Sequence, residues 1–179
     1  MESGEFDRTA NVLGALALVV ADRMADAVAG AAGHSVTAAT ALSALHHFLD
    51  RPSIDLLRQV LGLTSSGTVR LVDRLEHDGY VQRGPGADGR STSISLTPAG
   101  REAAARVSAA RAEVLASLLD RLSPEERGVL DALASRLLVG TARGPGATRW
   151  ICRLCDTTTC GRPEGRCPIA KAMAERYRS

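Results

Sequence analysis

The stretch of residues 52–96 constrains the fold most, because its periodicity changes within a short span. The runs IDLLRQVLG and SSGTVRLVDRLEH both have apolar residues at helical spacing, and a short turn joins them. Thr64 is placed as an N-cap, while Gly62 and Gly79 mark helix ends. YVQRG and STSISL then alternate polar and β-branched residues around PGADGR, which carries an Asp-Gly turn signal. The stretch therefore predicts a helix-turn-helix followed directly by a β-hairpin, or wing.

Four further helices are predicted around this stretch. In each of them, apolar residues recur at helical spacing, and in the first of them charged residues lie between. Thr97 precedes a proline at a first helical position, and Ser123 with Glu126 fits a capping box. The expected ranges are 6–31, 37–50, 98–122 and 124–139. The predicted fold class is mainly α with a small β-hairpin wing (α+β).

We expect four segments along the chain. The first and last of the long helices are too apolar to remain monomeric, which favours a homodimer. The expected divisions are an N-terminal dimerisation helix at 1–35, a winged helix-turn-helix domain at 36–97, C-terminal dimerisation helices at 98–140, and a Gly-rich hinge with a cysteine module at 141–179.

The net charge and the N-terminal sequence restrict which classes of protein this chain can belong to. The net charge is +2, and the basic excess lies in the tail, so a nucleic-acid partner has to be argued from a motif. The acidic start lacks the basic region of a signal peptide, and the apolar run at 12–20 is too short to cross a bilayer. We expect a cytoplasmic protein with no membrane association. Paired carboxylates, Ser-His-Asp sets and phosphate-binding Gly loops do not stand out, so we expect no enzyme.

The segment LTSSGTVRLVDRLEHDGYVQRGPGADGRSTSISLTPAGRE resembles the MarR family of bacterial transcriptional regulators. The resemblance covers residues 36–107 by motif, and residues 8–35 and 108–139 by helix pattern only. It departs in the wing, where ADGRS places Gly89 between Asp88 and Arg90. The resemblance implies a homodimer, usually a repressor, whose two winged lobes reach successive major grooves of pseudo-palindromic double-stranded DNA.

Helix faces and the resemblance together give a set of DNA-contacting residues. If Val69, Val72 and Leu75 point inward, the outer N-terminal part of the recognition helix faces DNA. An arginine at position 70 can bind guanine bidentately, whereas Arg74 contacts a phosphate or pairs with Asp78. By resemblance, the arginine of the wing enters the minor groove, braced by the aspartate. The predicted residues are Ser65, Ser66, Thr68, Arg70, Arg74, Asp88 and Arg90.

All four cysteines of the chain lie within one short C-x2-C-x4-C-x6-C stretch near its end. In a reducing compartment such a cluster favours a metal site over disulfides. Four sulfur ligands suit zinc, and an iron–sulfur cluster is the alternative because a proline follows the last cysteine. Redox-active or fortuitous cysteines remain the other interpretation. The predicted metal ligands are Cys152, Cys155, Cys160 and Cys167.

The sequence therefore predicts a DNA-binding transcriptional regulator, more often a repressor than an activator in this family, binding a pseudo-palindromic operator as a homodimer. Its four-cysteine metal site is expected to sense redox or metal state. One alternative is a regulator that responds to a small-molecule effector and carries a purely structural zinc. A weaker one is a thiol redox enzyme, which would need a cysteine of low pKa beside a partner. His46 and His47 are expected to be one exposed and one half-buried packing residue.

Overall fold

The computed structural model describes residues 7–86, 91–144 and 146–177. Helices dominate these residues, and two strands form an antiparallel hairpin, which confirms the predicted fold class. The elements are α1 (Arg8–Ala32), α2 (Val36–His47), α3 (Ile54–Leu61), α4 (Ser65–His77), β1 (Val81–Pro85), β2 (Thr92–Leu96), α5 (Pro98–Leu119), α6 (Pro124–Thr141), α7 (Ala147–Ile151) and α8 (Pro168–Arg176).

The helix ends follow the capping signals of the sequence. The Thr64 hydroxyl accepts a hydrogen bond from the Gly67 amide at 3.1 Å, and α3 ends at Gly62 in the left-handed conformation, with φ of 66°. Ser123 and Glu126 form both bonds of a capping box at the start of α6. These local contacts satisfy amide groups that a helix end leaves unpaired.

The five helices α1, α2, α3, α4 and α5 share one hydrophobic core with the hairpin. Its largest fully buried side chains include Leu42 of α2, Leu57 of α3, Leu75 of α4 and Ile94 of β2. In the hairpin, Val81 pairs with Leu96, so the wing begins directly against the core. The recognition helix and the wing are therefore attached to the same packed body.

A second, smaller core lies in the C-terminal part of the chain. Ile169 and Met173 of α8 pack with Ala142, Ala147 and Cys167, and α8 lies against α6. The segment between α6 and α7 spans residues 142–146, within the predicted hinge. The cysteine module is thus packed against the rest of the protein by its own apolar contacts.

Apolar side chains remain exposed on α1 and α6 of the single chain. Helix α6 has no buried residue at all. The exposed members are Val12, Leu13, Leu16, Leu18 and Val19 in α1, and Val129, Leu130, Leu133, Leu137 and Leu138 in α6. Contiguous exposed apolar surface of this kind marks an interaction face.

Within the described parts of the chain, every helix is too short or too polar to cross a membrane.

Candidate nucleic-acid interface and cysteine module

The N-terminal half of α4 presents polar side chains to solvent. Ser65, Ser66, Arg70 and Arg74 are all exposed there. The two arginines border a shallow cleft of about 230 Å³ that α4 forms with the start of α2. Hydroxyl and guanidinium groups on such a face can donate to phosphates and to base edges.

The prediction of which α4 residues point into the core is wrong at one position. Thr68 is fully buried, whereas Val69 is 40% exposed, so Thr68 cannot lie on the outer face where it was predicted. The Thr68 hydroxyl donates to the Thr64 carbonyl at 3.0 Å, which satisfies it inside the core. A threonine with such a local partner packs like a small branched apolar residue. The buried positions are therefore 68, 72 and 75.

Asp78, the alternative partner predicted for Arg74, lies close to a different residue. Asp78 lies 3.4 Å from His34, at the end of α4. Arg74 forms no ion pair with any of the described residues. Its guanidinium is therefore available to an external anion.

An ion-pair cluster that the sequence analysis missed fixes the wing to α4. The Arg83 guanidinium of β1 contacts Glu76 and lies 2.6 Å from Asp73 of α4, and its backbone amide donates to Glu76 at 3.1 Å. Burial lowers the pKa of Arg83, but the two carboxylates outweigh this effect and raise it above its usual value. The only sequence signal was the opposite charges of VDRLEHDGYVQR. The predicted wing residues Asp88 and Arg90 lie outside the described residues.

Residues 32–91 match the model of the MarR family. This segment of the chain is therefore similar to the MarR family.

Solved structures share the fold of this segment and its flanking helices. MarR from E. coli in its apo form is 21% identical, with 70% of this chain and 96% of that one covered and a TM-score of 0.58. A probable transcriptional regulator from Pseudomonas aeruginosa is 28% identical over 73% and 99%, with a TM-score of 0.55. A MepR mutant from S. aureus bound to an oligodeoxyribonucleotide is 18% identical over 74% and 96%, with a TM-score of 0.56. A comparison with curated proteins finds no match.

The four predicted metal ligands lie together beside the winged-helix segment. All four cysteines line one cavity of about 560 Å³, and α6 supplies part of its wall. The Cys160 thiol donates a hydrogen bond to the Thr157 carbonyl at 3.4 Å. Within residues 7–86, 91–144 and 146–177, however, no three Cys, His, Asp or Glu side chains converge closely enough to hold a metal as they stand.

The thiols differ in acidity. The neighbouring Cys152 thiol, followed by Arg111, Arg162 and Arg153, lowers the pKa of Cys155 to about 6, against the opposing effect of burial. Cys155 and burial raise the pKa of Cys152, and burial raises that of Cys160. Cys155 is therefore a stronger acid than Cys152 or Cys160.

Direct contacts join the cysteine loop to the end of α2. The Thr157 hydroxyl donates to the His47 carbonyl at 2.9 Å, and Asp156 lies 3.8 Å from the His47 ring. The other side of that ring is 2.8 Å from the Ser108 hydroxyl of α5. Burial, followed by the neighbouring His46, lowers the pKa of His47. As expected, His46 is exposed and His47 is half-buried.

Trp150 lies between the module and α3. Its indole is 53% exposed, and a Cβ atom added at Gly62 would come within 3.9 Å of its ring nitrogen. This approach lies at the C-terminal end of α3. Sequence spacing gave no sign of the contacts through His47 and Thr157.

Proposed function

We propose that this protein is a DNA-binding transcriptional regulator that acts in the cytoplasm as a repressor. The observation that carries the proposal is the solvent face of α4, where Arg70 and Arg74 have no ion-pair partner among the described residues, beside a wing fixed to the same helix by Arg83. In this proposal Arg70 contacts a base, Arg74 contacts a phosphate, and Ser65 and Ser66 contact the backbone at the helix start.

The proposal includes a homodimer that binds a pseudo-palindromic operator. Its support is the exposed apolar surface of α1 and α6, which a second copy of the chain would bury. Two-fold symmetry would place the two α4 helices in successive major grooves of the duplex. Light scattering during size-exclusion chromatography would give the mass of one chain if this part of the proposal is wrong.

The DNA-binding test uses duplexes selected from a random pool by the wild-type protein. Fluorescence anisotropy then compares Arg70→Gln, Arg74→Gln and a control, Arg121→Gln, which removes the same charge in the turn between α5 and α6. We expect Arg70→Gln to cost about 1–3 kcal/mol and to relax base preference at one position. Arg74→Gln should weaken binding to all duplexes by a similar factor. It should also reduce the slope of log affinity against log salt concentration by about 1.

Affinities of both variants equal to that of the control would show that this face of α4 does not bind DNA.

We further propose that the four cysteines hold zinc, with an iron–sulfur cluster as the alternative, and that metal occupancy changes DNA affinity. Support comes from the shared cavity of the four thiols and the arginines around them; metal binding has to draw the thiols closer together. Metal analysis with a visible spectrum separates the two metals, because zinc is colourless. The DNA affinity of Cys155→Ser and Cys160→Ser, with and without metal, tests the sensing role. An unchanged affinity would leave a purely structural zinc.

One observation favours a second candidate, a reactive thiol pair. Cys155 has a pKa lowered by the neighbouring Cys152 thiol, and both line the same cavity, which supports thiol redox chemistry. In this case a disulfide substrate would be reduced to two thiols while a Cys152–Cys155 disulfide forms. Incubation of the metal-free protein with oxidised glutathione and mass spectrometry would detect that bond. Full retention of both free thiols would exclude it.

A further inference from the structure

Arg51, in the loop between α2 and α3, has a backbone conformation that is unusual for an arginine. Its φ is 45°, in the left-handed region, and every other described residue with a positive φ is a glycine. A side chain at such a φ crowds the backbone, so a residue other than glycine or asparagine is strained there. Strain of this kind persists where the surrounding structure holds the residue, and it is concentrated at functional positions.

The residues that follow Arg51 hold it in this conformation. The carbonyl of Pro52 accepts a hydrogen bond from the Ile94 amide at 2.9 Å. Ser53 forms an isolated bridge with Ser93 of β2, so the chain runs along the hairpin directly after Arg51. The proline also disfavours the right-handed helical conformation at position 51. A glycine or an asparagine would make this turn without strain, so the presence of an arginine calls for a role of its side chain.

The guanidinium of Arg51 is bonded to the end of the wing. Its Nη2 donates to the carbonyl of Pro85, the last residue of β1, at 3.1 Å. The same carbonyl accepts a hydrogen bond from the Ser93 hydroxyl at 3.0 Å. Arg51 is exposed, and none of the described carboxylates forms an ion pair with it. The charged group therefore binds a backbone atom of the wing and not an acid.

This contact adds to those that already hold β1. Val81 pairs with Leu96 beside the main core. Arg83 binds α4, and Pro85 binds Arg51 at the opposite end of the strand from Val81. The contact of Pro85 ties the wing to the loop that leads into α3, the first helix of the helix-turn-helix. Both of its helices therefore have a direct connection to β1.

We propose that Arg51 is a positioning residue for DNA binding, which fixes the end of the wing relative to α3 and α4. The inference rests on the proposed DNA-binding function and adds to it a residue that lies outside α4 and the wing. In this role the strain at position 51 is tolerated, because asparagine and glycine, which would relieve it, are too short to reach the Pro85 carbonyl.

The test compares Arg51→Asn with the wild type in thermal melts and in binding to the selected duplexes. Asparagine accepts the left-handed conformation but does not reach Pro85. We expect the melting temperature to stay equal or to rise by up to about 4 °C, because strain is relieved while one hydrogen bond is lost. The DNA affinity should fall about 3- to 10-fold, the equivalent of one hydrogen bond. A residue with a purely structural role would instead lower the melting temperature.

A matched control and the salt dependence separate positioning from an effect of charge. Arg101→Asn removes an exposed arginine that donates to the Leu96 carbonyl at 3.0 Å, at the other end of the hairpin. This control should bind DNA within about twofold of wild type. For Arg51→Asn, the slope of log affinity against log salt concentration should equal that of wild type, whereas loss of a phosphate contact would reduce it by about 1.

The outcomes separate this inference from the proposal on which it rests. A wild-type protein that binds no duplex from the random pool overturns both the DNA-binding function and this inference. Wild-type binding with equal affinity in Arg51→Asn and Arg101→Asn overturns only the role of Arg51. A melting temperature of Arg51→Asn below that of wild type would overturn that role as well, because it would show a residue that holds the fold. A reduced salt slope would do so by showing a direct phosphate contact.

Discussion

The joint between the wing and α5 has no room for a side chain at Gly100. A Cβ atom there would lie 1.9 Å from the Tyr80 carbonyl oxygen and 2.8 Å from its carbon, where α5 starts beside β1. The same joint is held by the Thr97 amide, which donates to that oxygen at 3.0 Å, and by the Thr97 hydroxyl, which donates to the Gly79 carbonyl at 2.6 Å. We therefore predict that Gly100→Ala destabilises the protein and shifts the wing.

The size of the expected loss of stability follows from how far the Tyr80 carbonyl has to move away from the added Cβ atom. The Tyr80 carbonyl has to withdraw by about 1 Å, and overpacking of this kind costs about 1–3 kcal/mol. Weakening the hydrogen bonds of Thr97 adds about 1–2 kcal/mol, while alanine in a helix returns about 1 kcal/mol relative to glycine. The net loss is about 1–4 kcal/mol. For a chain of this size it lowers the melting temperature by about 2–16 °C.

Far-UV circular dichroism melts, at one protein concentration and one metal content, measure this effect. The matched control is Gly30→Ala, at an exposed position within α1 where an added Cβ meets nothing within 4 Å. The control should be neutral or more stable by up to about 1 kcal/mol. A Gly100→Ala protein as stable as the control would refute the reasoning, because it would show that the joint can open without cost.

Three further predictions follow from the interface and the module. Thr68→Val removes only a buried hydroxyl, so it should cost about 1 kcal/mol in urea unfolding and leave base preference in duplex selection unchanged; altered preference would return Thr68 to the DNA face. Glu76→Gln removes one carboxylate of the partly exposed Arg83 cluster and should cost less than about 1 kcal/mol, but it should weaken DNA binding through the wing; equal DNA affinity would show that the wing needs no brace. Removing metal with a chelator should shift the fluorescence of Trp150, the single tryptophan, and an unchanged spectrum would show that the metal does not hold the module against α3.

Local sequence signals predicted much of the fold. The N-caps at Thr64 and Ser123 and the glycine at 62 are each decided by the backbone groups within one turn, so their helix ends agree with the prediction. The inward face of α4 was harder to predict. Val69 is more apolar than Thr68, but Thr68 fits the core because Thr64 accepts its hydroxyl, and sequence alone does not reveal such a partner.

The candidate site was also predicted only in part from the sequence. The exposed arginines of α4 and the grouping of the cysteines follow from helical spacing and short loops. The contacts of His47 with Ser108 and Thr157 join elements far apart in the chain, whereas those of Arg83 join a helix to the strand that follows it. Their geometry depends on how the helices pack, and no periodicity encodes it.

The hydrogen bond from Thr157 to the His47 carbonyl has a consequence for biosynthesis. It joins residues 110 positions apart, so it can form only after nearly the whole chain has left the ribosome. Contacts that close so long a loop carry a large entropic cost and tend to form late. During translation, the winged-helix body would therefore fold before the cysteine module docks on it, and a nascent protein would be able to assemble the exposed face of α4 while its cysteines are still being synthesised.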